Sequence, residues 1–123
     1  MILLTPQMKI FVYVEPIDFR NGLDGLIHIT KSKIKEDPFS GGLFLFRSKR
    51  GVSIKAIVYD GQGFWLFMKR LSEGKFKYWP KKSDKEVHVS LLARELTVLL
   101  WNGDPRGALM KSDWKSVESS ANL

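Results

Sequence analysis

Cysteine is absent from the 123 residues, and histidine occurs only as His28 and His88. The lack of cysteine excludes a disulfide framework and any thiolate metal site, and it fits a reducing compartment. Neither histidine has a second His or Cys at ligand spacing, so His28 reads as a packing or surface residue of a helix and no metal site is expected. No apolar run approaches the roughly 20 residues that span a bilayer. The opening MILLTPQMKI lacks both the basic start and the apolar stretch of a signal peptide. A soluble, cytoplasmic chain without membrane contact is expected. Phosphate-cradling GxxxxGKS/T loops and GxSxG nucleophile elbows are also missing.

Acidic residues are scarce too, 13 against 20 Lys and Arg, giving a net charge of +7. The excess is local. Residues 47 to 85 hold eleven Lys and Arg against three acids, a balance of +8, and the rest of the chain sums to −1. Such asymmetry suits a phosphate-rich partner, although a plain solvated face has the same composition. Asp18, Asp24, Asp60 and Asp104 can in principle gather around a magnesium ion for phosphoryl transfer. Asp18 reads better as a helix cap, Asp60 as a turn former and Asp104 as a residue beyond a helix stop. Neither enzymatic activity nor a cofactor is therefore expected.

The length and the 44% apolar content fit one domain with one core. We assign it to residues 1–110, with 111–123 a loosely ordered tail. KIFVYV (9 to 14) reads as a strand. Asp18 then looks like the N-cap of an amphipathic helix carrying Leu23, Leu26, Ile27, Thr30 and Ile34, stopped by Asp37-Pro38. Gly22 and Gly25 weaken that helix by roughly 1 kcal/mol each and must be offset by close packing or a close backbone approach. Strands follow at 43 to 47, 52 to 59 and 64 to 71, then KFKYW (75 to 79), a basic loop at 80 to 85 and a short EVHV (86 to 89). Residues 91 to 101 form a second helix, stopped by Asn102-Gly103. The order predicts an α+β fold: an antiparallel meander of about five strands with two helices packed on one face.

YDGQGFWLFMKRL (59 to 71) is the most informative stretch. A turn at Asp60 to Gly63 pairs Tyr59 with Phe64, Ile57 with Leu66 and Lys55 with Met68 on one face. Ile54, Ala56, Val58, Trp65, Phe67 and Lys69 fall on the other. Neither face is polar, whereas a strand pair with one wet side alternates apolar and polar. Either both sides are covered, or one is a binding surface.

Four blocks carry a family resemblance: DFRNGLDGL (18 to 26), DPFSGGLFLFRSKRG (37 to 51), IKAIVYDGQGFWLFMKRLSEGKFKYWP (54 to 80) and VSLLARELTVLL (89 to 100). In order and spacing they resemble the small TnpB-type accessory protein encoded by the second open reading frame of insertion sequence 66-type mobile elements. Asn21 and the terminus WNGD (101 to 104) depart from the family pattern. The resemblance implies an accessory factor in DNA transposition, acting beside a separate transposase that performs strand cutting and joining. The partners expected are DNA at the element ends, transposase subunits and a second copy of the chain. Together with the basic segment, this makes Arg47, Lys49, Arg50, Lys55, Lys69, Arg70, Lys75 and Lys77 the candidate phosphate contacts. Trp65 or Trp79 can stack on a base, a contact of about 1–3 kcal/mol. Arg20 can join them, with an ion pair to Asp24 as its alternative. The competing reading is a protein-interaction adaptor that docks on the transposase or self-associates through the aromatic hairpin without touching DNA.

Overall fold

In the computed structural model, which describes residues 7–81 and 88–103, strand β1 (Ile10–Tyr13) buries all four side chains of its β-branched and aromatic run. Strands β2 (Leu43–Arg47), β3 (Ser53–Tyr59), β4 (Phe64–Arg70) and β5 (His88–Leu91) complete a five-stranded sheet in the order β4-β3-β2-β1-β5. Helices α1 (Leu23–Ile29) and α2 (Ala93–Leu100) cover it. This is the expected α+β class.

The meander needs correction. β1 and β2 are parallel, with Phe11 opposite Phe44, and β5 returns antiparallel beside β1 at the far edge. The chain between β1 and β2 contains α1, and a connection of that kind suits a parallel crossover. Nor do the helices share a face. Leu26 of α1 and Ile34 beyond it pack on Phe11, Tyr13, Phe44, Phe46 and Ile57. Leu96 and Leu99 of α2 pack on Ile10, Val12, Leu43, Leu45, Ile54 and Val58 from the other side. Burial on both faces is why β1 and β2 are continuously apolar rather than alternating.

Three local expectations also change. Asp18 does not cap α1: Ile17 is tied to the end of β2, donating to Arg47 O at 3.0 Å, so the chain must turn before a helix can begin. Asp18 to Asn21 make that turn, and Gly22 is the N-cap, without a side-chain bond. Gly25 permits a close approach, since a Cβ there would lie 2.4 Å from Asn21 Oδ1. That room lets the Asn21 amide fold back to donate to Asp18 O at 2.9 Å. Gly22 meets nothing within 4 Å, so no close approach explains it. Beyond α1 the helix widens into a π-helical turn, Thr30–Ile34, and ends where Lys35 takes φ of 61°, just before Asp37-Pro38.

Residues 75 to 79 are not a strand. They form a strap across the α2 face, with Trp79 buried in that core and its indole N–H donating to Tyr13 O at 3.0 Å. The last strand is described from His88; Glu86, Val87 and residues 82 to 85 of the expected basic loop lie outside the described residues, as do Asp104 and the expected tail. α2 opens with Leu92 N–H donating to the Glu95 carboxylate at 2.7 Å. At its end Asn102, at φ 63°, donates to Leu99 O and Gly103 donates to Val98 O, the left-handed stop that Asn-Gly suggested. Among the described residues no helix is long and apolar enough to cross a membrane.

Candidate nucleic-acid interface

The β3–β4 hairpin has the expected register: Tyr59 faces Phe64, Ile57 faces Leu66 and Lys55 faces Met68. Its turn is held by the Asp60 carboxylate, which accepts from Gln62 N–H, Gly63 N–H and Trp65 Nε1–H at 2.9, 2.9 and 2.7 Å. Those bonds stabilise the charged form and hold its carboxyl below the usual range, the two backbone bonds first. Asp60 is fully used as a turn former. Asp18 is paired with Arg20 at 2.6 Å, and among the described residues no three His, Asp or Glu side chains gather where they could hold a metal.

The opposite end of the hairpin is basic, and the backbone brings its cations together. The β2–β3 turn carries Lys49 and Arg50, and Arg70 at the end of β4 pairs with Ser53 at the start of β3. Leu71 N–H donates to Val52 O, and Phe76 N–H donates to Gly51 O, both at 2.9 Å. The second bond brings Lys75, whose stem passes beside Gly51. Around the corner, Ile17 bridges to Ser48 and delivers Asp18 and Arg20. A hollow of about 310 Å³ opens here, lined by Asp18, Lys49, Arg50 and Arg70 among others. Lys49, Arg50, Arg70, Lys75 and Lys77 are exposed, and none holds a side-chain hydrogen bond or ion pair with another described residue.

Arg20 is the exception at this end. It grips Asp18 through its guanidinium and its own backbone N–H, rather than pairing with Asp24. Those bonds bring the Asp18 carboxyl from an ordinary 3.8 to about 2, with Lys49 adding a weaker pull. Among the described residues, Arg20, Lys49, Arg50, Arg70, Lys75 and Lys77 stand against two carboxylates of the same segments, Asp18 and Glu73.

The other candidates point inward. Lys55 Nζ donates to Phe19 O at 3.1 Å and Asn21 O at 3.0 Å, and lies over the Phe19 ring. Lys69 crosses the α2 face to donate to Leu100 O and lies over Trp101, where its charge meets the negative end of the α2 dipole. Arg47 is part-buried over Trp79 and reaches Val14 O at 3.4 Å; burial pushes its guanidinium down from its usual range, and Glu15 partly counters that. Trp65 is 41% exposed and stacked on Phe67, yet it stands five residues from Arg70, about 17 Å along the strand, with its indole on Asp60. Trp79 is 9% exposed.

Two residues that composition does not flag complete this picture. Asn102 accepts from Lys77 N–H at 2.6 Å and donates to Lys75 O at 3.2 Å, clamping the strap that carries both lysines to the end of α2. Trp101, 80% exposed, supplies the ring under Lys69. The Asn-Gly helix stop marks Asn102; nothing in the sequence marks its two bonds.

Comparison with known proteins gives the family. The family described as IS66 Orf2 like protein matches residues 8–107. The chain belongs to the IS66 Orf2-like family. It is therefore an accessory protein of IS66 transposition. Among curated proteins, the uncharacterized protein y4jC of Sinorhizobium fredii is 40% identical over 83 residues, covering 68% of this chain and 70% of that one. The uncharacterized protein y4hO of the same strain is 34% identical over 84 residues, covering 68% and 72%. No solved structure matches. The family match takes in the whole hairpin, the strap and the basic end.

Proposed function

We propose that this IS66 Orf2-like protein is a non-catalytic DNA-binding accessory factor that grips the phosphate backbone with the basic end of its sheet. The observation carrying the reading is that backbone bonds bring together Lys49 and Arg50 on the β2–β3 turn, Arg70 at the end of β4 and Lys75 on the strap, with Lys77 held next along the strap by Asn102, and that their charges are unspent within the described residues. Arg20 adds to that surface once phosphate competes for it with Asp18. Contact is to phosphate rather than base edges, because point charges on turns position a duplex without reading its sequence. Trp65 lies too far from this end to stack on a nucleotide gripped there, so the transposase or the ends' own structure supplies selectivity. Fluorescence anisotropy with duplex from the element ends tests the reading: binding in low salt is expected, and its absence there refutes the proposal.

The adaptor reading has its own support. β4 is an edge strand, and Trp65, Leu66, Phe67 and Met68 are 41%, 42%, 42% and 57% exposed. Four adjacent large apolar side chains on a sheet edge that no described strand pairs favour a protein contact over a nucleic-acid one.

A further inference from the structure

We infer that β4 pairs antiparallel with β4 of a second copy, about a two-fold axis through Phe67, joining the two sheets into one of ten strands. This is a site separate from the basic end, and it stands whether or not that end binds DNA.

The strand's hydrogen-bond phase fixes the register. Asp60 N–H donates to Gly63 O and Leu71 N–H donates to Val52 O, so these facing pairs are hydrogen-bonded. In an antiparallel ladder such pairs alternate with non-bonded ones. Residues 65, 67 and 69 therefore spend their N–H and C=O on β3. Phe64, Leu66, Met68 and Arg70 aim theirs at the open side, where no described strand lies. An antiparallel copy in which Leu66 meets the partner's Met68, and Phe64 meets the partner's Arg70, satisfies all four residues. The same register overlaps the full strand, Phe64–Arg70, and puts Phe67 against the partner's Phe67.

Charge selects the same direction. Asp60 stands at one end of the hairpin, and Lys69 and Arg70 at the other. Antiparallel pairing sets Lys69 beside the partner's Trp65, whose indole already holds the partner's Asp60 in the same fold. Parallel pairing would stack the two Lys69-Arg70 pairs on each other, and like charges facing across strands repel. A two-fold contact also uses one patch twice and closes on itself, so it makes a dimer rather than a fibre. This edge has the apolar length that favours pairing and lacks the central charge that normally protects an edge.

The area sets the strength. The exposed parts of Trp65, Leu66, Phe67 and Met68 come to roughly 350–400 Å² per copy, below the about 800 Å² per partner of a standard stable interface. The dimer is accordingly reversible and concentration-dependent.

The test uses the full chain with no nucleic acid present, so that its failure is distinct from failure of DNA binding. Sedimentation velocity across a micromolar series should show the mass rising from 14.1 kDa toward twice that value. Leu66→Pro removes an N–H on the open side while leaving the β3 ladder intact, and should hold the chain monomeric. Because the chain has no cysteine, single substitutions report register directly. Facing non-bonded residues have Cα atoms about 4.5 Å apart, within disulfide reach. Phe67→Cys should form a covalent dimer under mild oxidation, and Met68→Cys, off the axis, at least about ten-fold more slowly. A chain that stays monomeric throughout and does not crosslink through Phe67→Cys overturns the inference. Equal crosslinking of both variants overturns the register. Loss of transposase capture in Leu66→Pro of a strictly monomeric chain assigns the edge to a transposase strand instead, and equally overturns self-pairing.

Discussion

Replacing Lys55 by methionine separates a structural cation from a phosphate contact. Lys55 Nζ makes two bonds to backbone carbonyls, Phe19 O at 3.1 Å and Asn21 O at 3.0 Å, and its charge lies 4.8 Å from the Phe19 ring centre. Hydrogen bonds to a charged group contribute about 1.5–3 kcal/mol each when well buried. Lys55 is half-buried, so screening brings that to roughly 1 kcal/mol per bond. The cation–π contact adds about 0.5 kcal/mol, and the methionine stem recovers a similar amount by apolar contact. The expected loss is about 2 kcal/mol, or roughly 6–10 °C in Tm for a domain of this size. Urea and thermal unfolding measure it. DNA affinity and its salt dependence, measured below the transition, should not change. An unchanged Tm together with a salt slope shallower by about one charge would refute the reasoning and return Lys55 to the DNA surface.

Three further outcomes follow from the geometry. Asn102→Gly keeps the left-handed helix stop but deletes the bonds to Lys75 O and Lys77 N–H, so unfolding should show a loss of about 1–2 kcal/mol; Asn102→Ala should cost about 1 kcal/mol more for the positive φ. Equal stability of all three proteins would mean the clamp does not matter. Asp18 and Asp60 have lowered folded-state values, so the stability they contribute is complete above their ordinary range and is lost as pH falls. For Asp18 the window runs from 3.8 down to about 2, which carboxyl-carbon NMR titration follows residue by residue; a midpoint at 3.8 would contradict the Arg20 pairing. Asp60→Ala should release the Trp65 indole, seen as an upfield shift of its N–H resonance, and weaken the hairpin turn.

The hairpin was readable because local chemistry fixes it. Asp60, Gly61 and Gly63 allow one tight turn, Gly61 takes φ of 96°, and a period of two then assigns every side chain to a face. The parallel β1–β2 pair was missed although its signal is present, since a whole helix separates the two strands and short-turn reasoning does not apply to such a connection. KFKYW alternates like a strand but is governed by distant partners, Tyr13, Gly51 and Asn102, that no local pattern shows. The charge count located the basic segment without sorting it. A sharper rule was available: Lys55 shares its face with Ile57 and Leu66, and Lys69 shares its face with Trp65 and Phe67. A lysine flanked by apolar neighbours on a strand sends its amine to a nearby carbonyl, whereas a cation on a turn with no acid two residues away, such as Lys49 or Arg50, keeps its charge exposed. Asp18 misled because a carboxylate before a helical pattern satisfies the cap rule, while the tie from Ile17 to β2 forces a turn first.

The central claim, that the free cations at one end of the sheet grip DNA phosphate, is tested most directly by the slope of log affinity against log salt for duplex DNA. Five cations unpaired among the described residues predict a slope of about −4 to −5 for the native chain. The combined Lys49→Ala, Arg50→Ala and Arg70→Ala variant should bind more weakly, with a slope shallower by about 3 and an unchanged Tm. Binding that ignores salt, or a triple variant that keeps the native slope, would contradict the account.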